Sequence, residues 1–311
     1  PSARRLGLVG AEMGIRDSTR GVTDPAALAV LGEAAAFAEQ HVDALGGVYD
    51  SGLEDPAEPE GDVAGEAGTD APGTGTAAPG ADGTTSDPGT TGTSTDAAGT
   101  PAPGTATTDD VVTALVGAAG RTGAAADASP DARLARLLAS VAASEHVSAQ
   151  RLAAATGSTA AAGLADPPPV DEAPGGVGAA DLATLVEAED AAGYGYEVRA
   201  AQSEGDVRTA AVARAAQHRA RAQGWALAAG TDGTPQDPRR VAYALPDGTD
   251  TAALARQVES GLAQTYASLV AAAAPTSRTE AVALLADAWA SAVAWGEAPV
   301  AFPGLPEQTA G

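Results

Sequence analysis

The sequence predicts an all-α protein, and three observations carry that reading. Apolar residues make up 44 % of the chain but aromatics only 3 %. Most of that apolar content is alanine, which has the best helix propensity and little area to bury. Apolar positions recur at i, i+3, i+4 and i+7 in one segment after another. Those segments are punctuated by N-cap residues, prolines at first helical positions and glycines just past the ends. The 311 residues suffice for one or two domains with a sizeable core.

Residues 1–48 read as an N-terminal helical segment. Asp24-Pro25 supplies an N-cap and a first-turn proline, and Leu28, Leu31, Ala35, Ala38, Val42 and Leu45 follow on one stripe. Gly46-Gly47 closes that helix of about twenty residues. His41 lies on it with no visible partner. Residues 49–108 lose all periodicity: "GTGTAAPGADGTTSDPGTTGTSTDAAGTPAPG" holds no apolar pattern, and no arginine occurs between Arg20 and Arg121. Such a segment cannot bury enough surface to offset its ordering entropy, so it reads as a disordered acidic linker.

Residues 109–157 read as a helical hairpin. A short helix, "DDVVTALVGAAG", is followed by one in which Ser129 is the N-cap, Pro130 the first position and Gly157 the stop. Leu134, Leu137, Leu138, Val141, Glu145, Ser148 and Leu152 share a face. Adjacent Glu145 and His146 point apart, which favours solvent exposure for one of them. A second Pro/Gly linker spans 158–179.

Residues 180–300 carry four helical patterns. The first runs from about Asp181 to Gln202. "SEGD" connects it tightly to a second, capped by Asp206. A long crossover, "TDGTPQDPRRVAYALPDGTD", leads to a third that ends near Pro275, and Thr276 or Ser277 caps the fourth. Residues 301–311 close as proline-broken coil. Short loop, long crossover, short loop is the connectivity of a ferritin-like four-helix bundle with one long crossover.

Glu189 poses the sharpest chemical question. Leu182, Leu185, Val186, Glu189, Ala192, Gly193 and Tyr196 form one helical face, and a carboxylate there costs free energy unless paired, protonated or metal-bound. Glu259 sits at the edge of the stripe Leu254, Val258, Leu262, Tyr266 and Leu269. Each glutamate is followed seven residues later by a tyrosine on the same side of its helix, Tyr196 and Tyr266. His218 lies on the small-residue face of the second helix with Val207, Ala211, Ala215, Ala222 and Trp225. Asp287 flanks Val282, Leu285, Trp289 and Val293. A di-iron bundle needs Glu-x-x-His on its second and fourth helices. Here Ala215 precedes His218 by three and Ala290 follows Asp287 by three, so each helix keeps at most half of its pair. A single site from Glu189, His218, Glu259 and Asp287 would suit iron, manganese or zinc. The competing reading makes Glu189 a buried carboxylate bonded to Tyr, Arg or His, and His218 a core imidazole.

"LVEAEDAAGYGYEV", "HRARAQ", "YALPDGTDTAALARQVESGLAQTYASLV" and "APVAFPGLPE" resemble an actinobacterial exported ferritin-like family of unknown function, and "ARLLASVAASEH" resembles a segment from the N-terminal portion of such proteins. The resemblance implies a ferritin-like bundle and an extracytoplasmic location, in the cell envelope or secreted. It implies no reaction.

Composition excludes several function classes. A net charge of −24 with no lysine leaves no basic face for nucleic acid and would repel anionic lipid. No apolar run approaches the ~20 residues of a membrane helix. With no cysteine there is no disulfide, thiolate metal site or thiol nucleophile. A Walker loop needs lysine, and no H-E-x-x-H, G-x-S-x-G or EF-hand spacing occurs. The partner left open is an unidentified protein or small molecule, and a homo-oligomer stays open beside it. Two function readings stand: a non-catalytic exported binding or structural module with a degenerate metal site, and a metal-dependent oxidoreductase or iron-handling protein with a reduced carboxylate/histidine site.

Overall fold

The computed structural model describes residues 24–47, 107–164, 167–246 and 248–309. The acidic linker expected at 49–108 lies outside the described residues except for its last two. Among the described residues every regular element is a helix. None of these helices is long and apolar enough to cross a membrane.

Helix α1 is Pro25–Ala44, with Asp24 as its N-cap and proline in its first turn. Its buried stripe is Ala27, Val30, Leu31, Ala34, Ala38 and His41, so the apolar face is turned slightly from the expected one and Leu28 is left exposed. Helix α2, Thr108–Ala128, is longer than the short helix read from sequence. Thr107 and Asp110 close a reciprocal capping box, and the helix continues through its glycines to Ala128. Helix α3 is Ala132–Thr156, and Gly157 stops it in the left-handed conformation at φ 71°.

The N-cap of α3 is Asp131, not Ser129. Asp131 Oδ1 accepts from the N–H groups of Arg133 (2.8 Å) and Leu134 (2.9 Å). Ser129 instead ends α2 and offers its carbonyl to Arg278. A short 3-10 turn at Ala160–Gly163 follows.

Helices α4 (Ala179–Ala201) and α5 (Gly205–Ala228) form one closely packed pair, and α6 (Thr251–Ala272) and α7 (Thr279–Ala294) another. Helix α5 begins ahead of Asp206, from Glu204, and no side chain caps it. Asp250 caps α6. The start of α7 is capped by neither Thr276 nor Ser277. Its Arg278 N–H donates to Asp127 Oδ1 from the end of α2 (2.6 Å), so a different helix provides the cap. The Arg278 side chain is itself buried and donates to the carbonyls of Ala126, Ser129 and Ala273 at the ends of α2 and α6.

Helix α3 lies against α6 and α7, α2 against α7, and α1 against α3. The N-terminal helices are thus packed on the α4–α7 assembly, and their apolar stripes are covered. One large core joins α3 through α7, with Trp225, Tyr266, Leu284 and Leu285 among its members. A smaller one joins α1, α2 and α3 around Leu31, Val112 and Leu152.

The segment after α7 is not loose coil at its start. Ala301 to Leu305 are buried, and a short helix α8, Pro306–Thr309, follows. His41 donates Nε2–H to the Ala301 carbonyl (2.7 Å) and meets the Phe302 ring edge-on. Ser140 and Ser144 donate to the carbonyls of Pro303 (2.7 Å) and Val300 (3.2 Å). Gly304, at φ 74°, lies so close to α6 that a Cβ would fall 2.6 Å from the Ala263 carbonyl oxygen. This strap ties α1, α3 and α6 together, and it gives His41 the partner that sequence did not reveal.

Candidate functional site

Helices α4 to α7 direct a set of polar side chains into their shared interior. Glu189 on α4 and Glu259 on α6 are fully buried. The tyrosines two turns further along bond crosswise: Tyr196 donates to Glu259 Oε1 (2.8 Å), and Tyr266 donates to Glu189 Oε1. His218 of α5, also fully buried, lies between the two carboxylates. Its Nδ1 is 2.6 Å from Glu189 Oε2 and its Nε2 is 3.2 Å from Glu259 Oε1. The ring stacks on Tyr196 at 5.4 Å between centroids.

Two arginines complete the network. Arg214 grips Glu259 with both arms of its fork, Nε to Oε1 (2.6 Å) and Nη2 to Oε2 (2.7 Å). Its remaining Nη1 donates to Asp287 Oδ2 (2.7 Å) and Gln217 Oε1 (3.0 Å). Arg221 donates to the same Asp287 oxygen (2.7 Å), and Ser291 of α7 donates to Glu259 Oε1 (2.9 Å). Sequence reasoning did not name the arginines or Ser291. The signal for the arginines was there: positions 214, 218 and 221 follow i, i+4 and i+7, so they share the face of α5 that carries His218. Val207, expected on that face, is instead exposed at the start of the helix.

The charges answer one another. Burial opposes a charged His218, but Glu189 and then Glu259 outweigh it and raise its pKa. With a carboxylate at each nitrogen, the ring can donate from both only as imidazolium. Burial likewise opposes ionised Glu259, yet His218 and Arg214 hold its carboxyl well below the usual range. Asp287 is lowered too, Arg214 and Arg221 overcoming burial. Both tyrosines are held protonated by burial and by the glutamate each one faces. Three carboxylates therefore meet two guanidinium groups and an imidazolium, so the interior is close to neutral.

Of the four residues read from sequence as metal ligands, Glu189, His218 and Glu259 are in direct contact. Asp287 joins them only through Arg214, and its side chain is about one-fifth exposed (21 %). These donors do not suit a metal ion as they stand. The glutamates approach opposite edges of the imidazole, so their oxygens do not converge with a ring nitrogen on one point. Both Glu259 oxygens are taken by Arg214, and both Glu189 oxygens by Tyr266 and His218. Among the described residues no group of three or more His, Asp or Glu side chains is arranged to hold a metal.

Two other buried carboxylates lie outside this network. Asp190, next to Glu189, points the other way and anchors the crossover, accepting from Tyr243 (2.7 Å) and from Arg219. Glu145 is buried on α3 with Oε2 lacking a hydrogen-bond partner, and burial raises its pKa to about 8 against the pull of Thr122 and Arg121. Its neighbour His146 is half-buried and bonded to Gln150 (2.9 Å).

No curated protein and no solved structure matches the chain. Residues 181–307, which contain every member of the Glu189–His218–Glu259 network, match the model of a family described as a domain of unknown function (DUF4439).

Proposed function

We propose that α4 to α7 form a ferritin-like bundle that serves as a non-catalytic, exported binding or structural module. Its degenerate metal site has become a closed polar network. The observation that carries this reading is His218, wedged between Glu189 and Glu259 with both ring nitrogens engaged. A ligating imidazole must keep one nitrogen as a free lone pair, and this one spends both as donors. The alanines at 215 and 290, where a di-iron bundle would supply further ligands, support the same conclusion. The extracytoplasmic setting rests on the sequence resemblance alone.

The decisive measurement is metal content after reconstitution with ferrous iron, manganese or zinc, beside a Glu189→Ala, Glu259→Ala double variant. The expected result is no metal above the variant's background. Stoichiometric metal that the variant loses would overturn the proposal. The alternative would then stand: an iron- or manganese-dependent oxidoreductase or iron-handling protein using Glu189, His218 and Glu259.

A further inference from the structure

We infer that Arg214 is the resident cation of this interior, its guanidinium filling the position beside Glu259 that a metal ion would take in a ligating bundle. The inference rests on the proposal that no metal binds there. It goes further by assigning the replacement to one side chain and by naming the ligand class that side chain's space would accept.

The geometry is that of a cation site built from oxygens. The Arg214 fork faces both oxygens of Glu259, and its outer nitrogen faces Asp287 Oδ2 and Gln217 Oε1. Four acceptor atoms from α5, α6 and α7 thus surround one planar cation whose side chain is 9 % exposed. A guanidinium suits such a site because its donors lie in a rigid plane that matches a carboxylate edge on. It cannot lose its proton in a protein, so the interior stays compensated at any working pH. Lysine, a single-point ammonium, could not bridge Glu259 and Asp287 in this way. Arg214 also arrives from the helix that carries His218 and Arg221, so α5 brings all three interior cations on one face to helices that bring the carboxylates.

Arg214→Ala should then leave a cavity lined by Glu259, Asp287 and Gln217 that takes up free guanidinium. The test is the melting midpoint of Arg214→Ala and of the unaltered protein in millimolar guanidinium chloride, with sodium chloride at matched ionic strength as the control. The expected result is a saturable rise for the variant alone, about 3 °C at ten times the dissociation constant. Should Arg214→Ala not fold, Arg214→Ala combined with Glu259→Gln decides the matter. Neutralising the stranded carboxylate should restore folding if Arg214 acts as a counter-ion. A folded Arg214→Ala indifferent to guanidinium, or a double variant as unfolded as the single one, would overturn the inference. Metal in the unaltered protein would instead sink the reading on which it rests, and that outcome is scored separately by metal analysis.

Discussion

His41 should make this protein measurably less stable in mild acid. The residue is 2 % exposed, donates to the Ala301 carbonyl and sits against Phe302. Burial lowers its pKa from 6.5 to about 4, against a weaker opposing pull from Ala301. The folded protein therefore refuses a proton that the unfolded chain accepts from about pH 6.5 downward. Stability is fully present above that pH and is lost as pH falls toward 4. A difference of about 2.5 pKa units corresponds to roughly 3 kcal/mol, most of it gone by pH 4. His41→Gln keeps an N–H donor at a similar reach and removes the titration. Urea unfolding at pH 7.5, 5.5 and 4.0 should show the unaltered protein losing roughly 3 kcal/mol more than the variant over that range. Equal losses in both would refute the assignment of His41 as a neutral, buried latch.

Three further perturbations follow from the same packing. Glu145 holds its proton to about pH 8 when folded but releases it near 4.5 when unfolded, so its contribution weakens as pH rises between those values. Glu145→Gln should be the more stable protein at pH 9 by thermal melting, with the gap closing toward pH 5. Gly304→Ala forces a left-handed φ on alanine and a Cβ to 2.6 Å from the Ala263 oxygen, so a loss of about 2 kcal/mol or more is expected in chemical denaturation. Asp127→Ala removes the cap that α2 lends to α7 and should cost about 1 kcal/mol, with faster amide exchange in the first turn of α7.

The helices were legible because each is encoded locally. Asp24-Pro25, Asp250 and Gly157 mark their boundaries by chemistry that depends on neighbours in sequence. What escaped depends on chain segments far apart. The cap of α7 is a side chain about 150 residues upstream of it, and no inspection of Thr276 or Ser277 could find that. Ser129 looked like a cap by residue type, but Asp131 lies closer to the first free N–H groups of α3. The interior site was half visible. Buried glutamates with tyrosines at two-turn spacing stand out on apolar faces, whereas arginines at 214 and 221 read as ordinary surface charges until their acceptors on α6 and α7 are known.

The strap that runs over α1, α3 and α6 has a consequence for the order of events in the life of the chain. Its hydrogen bond to His41 spans 260 residues of sequence. Helix α1 is therefore among the earlier parts to be synthesised and among the last to be secured. Until Ala301 and Phe302 leave the ribosome, α1 has its apolar contacts with α2 and α3 and the Glu33–Arg151 ion pair to hold it. Contacts of such long separation form late, because the intervening chain must first be ordered. Docking of the strap is thus the step that closes the contacts of α1 and α3 with the end of the chain. A chain cut short before residue 300 would leave His41, Ser140 and Ser144 without the carbonyls they donate to, so the last dozen residues complete the hydrogen bonding of the first and third helices.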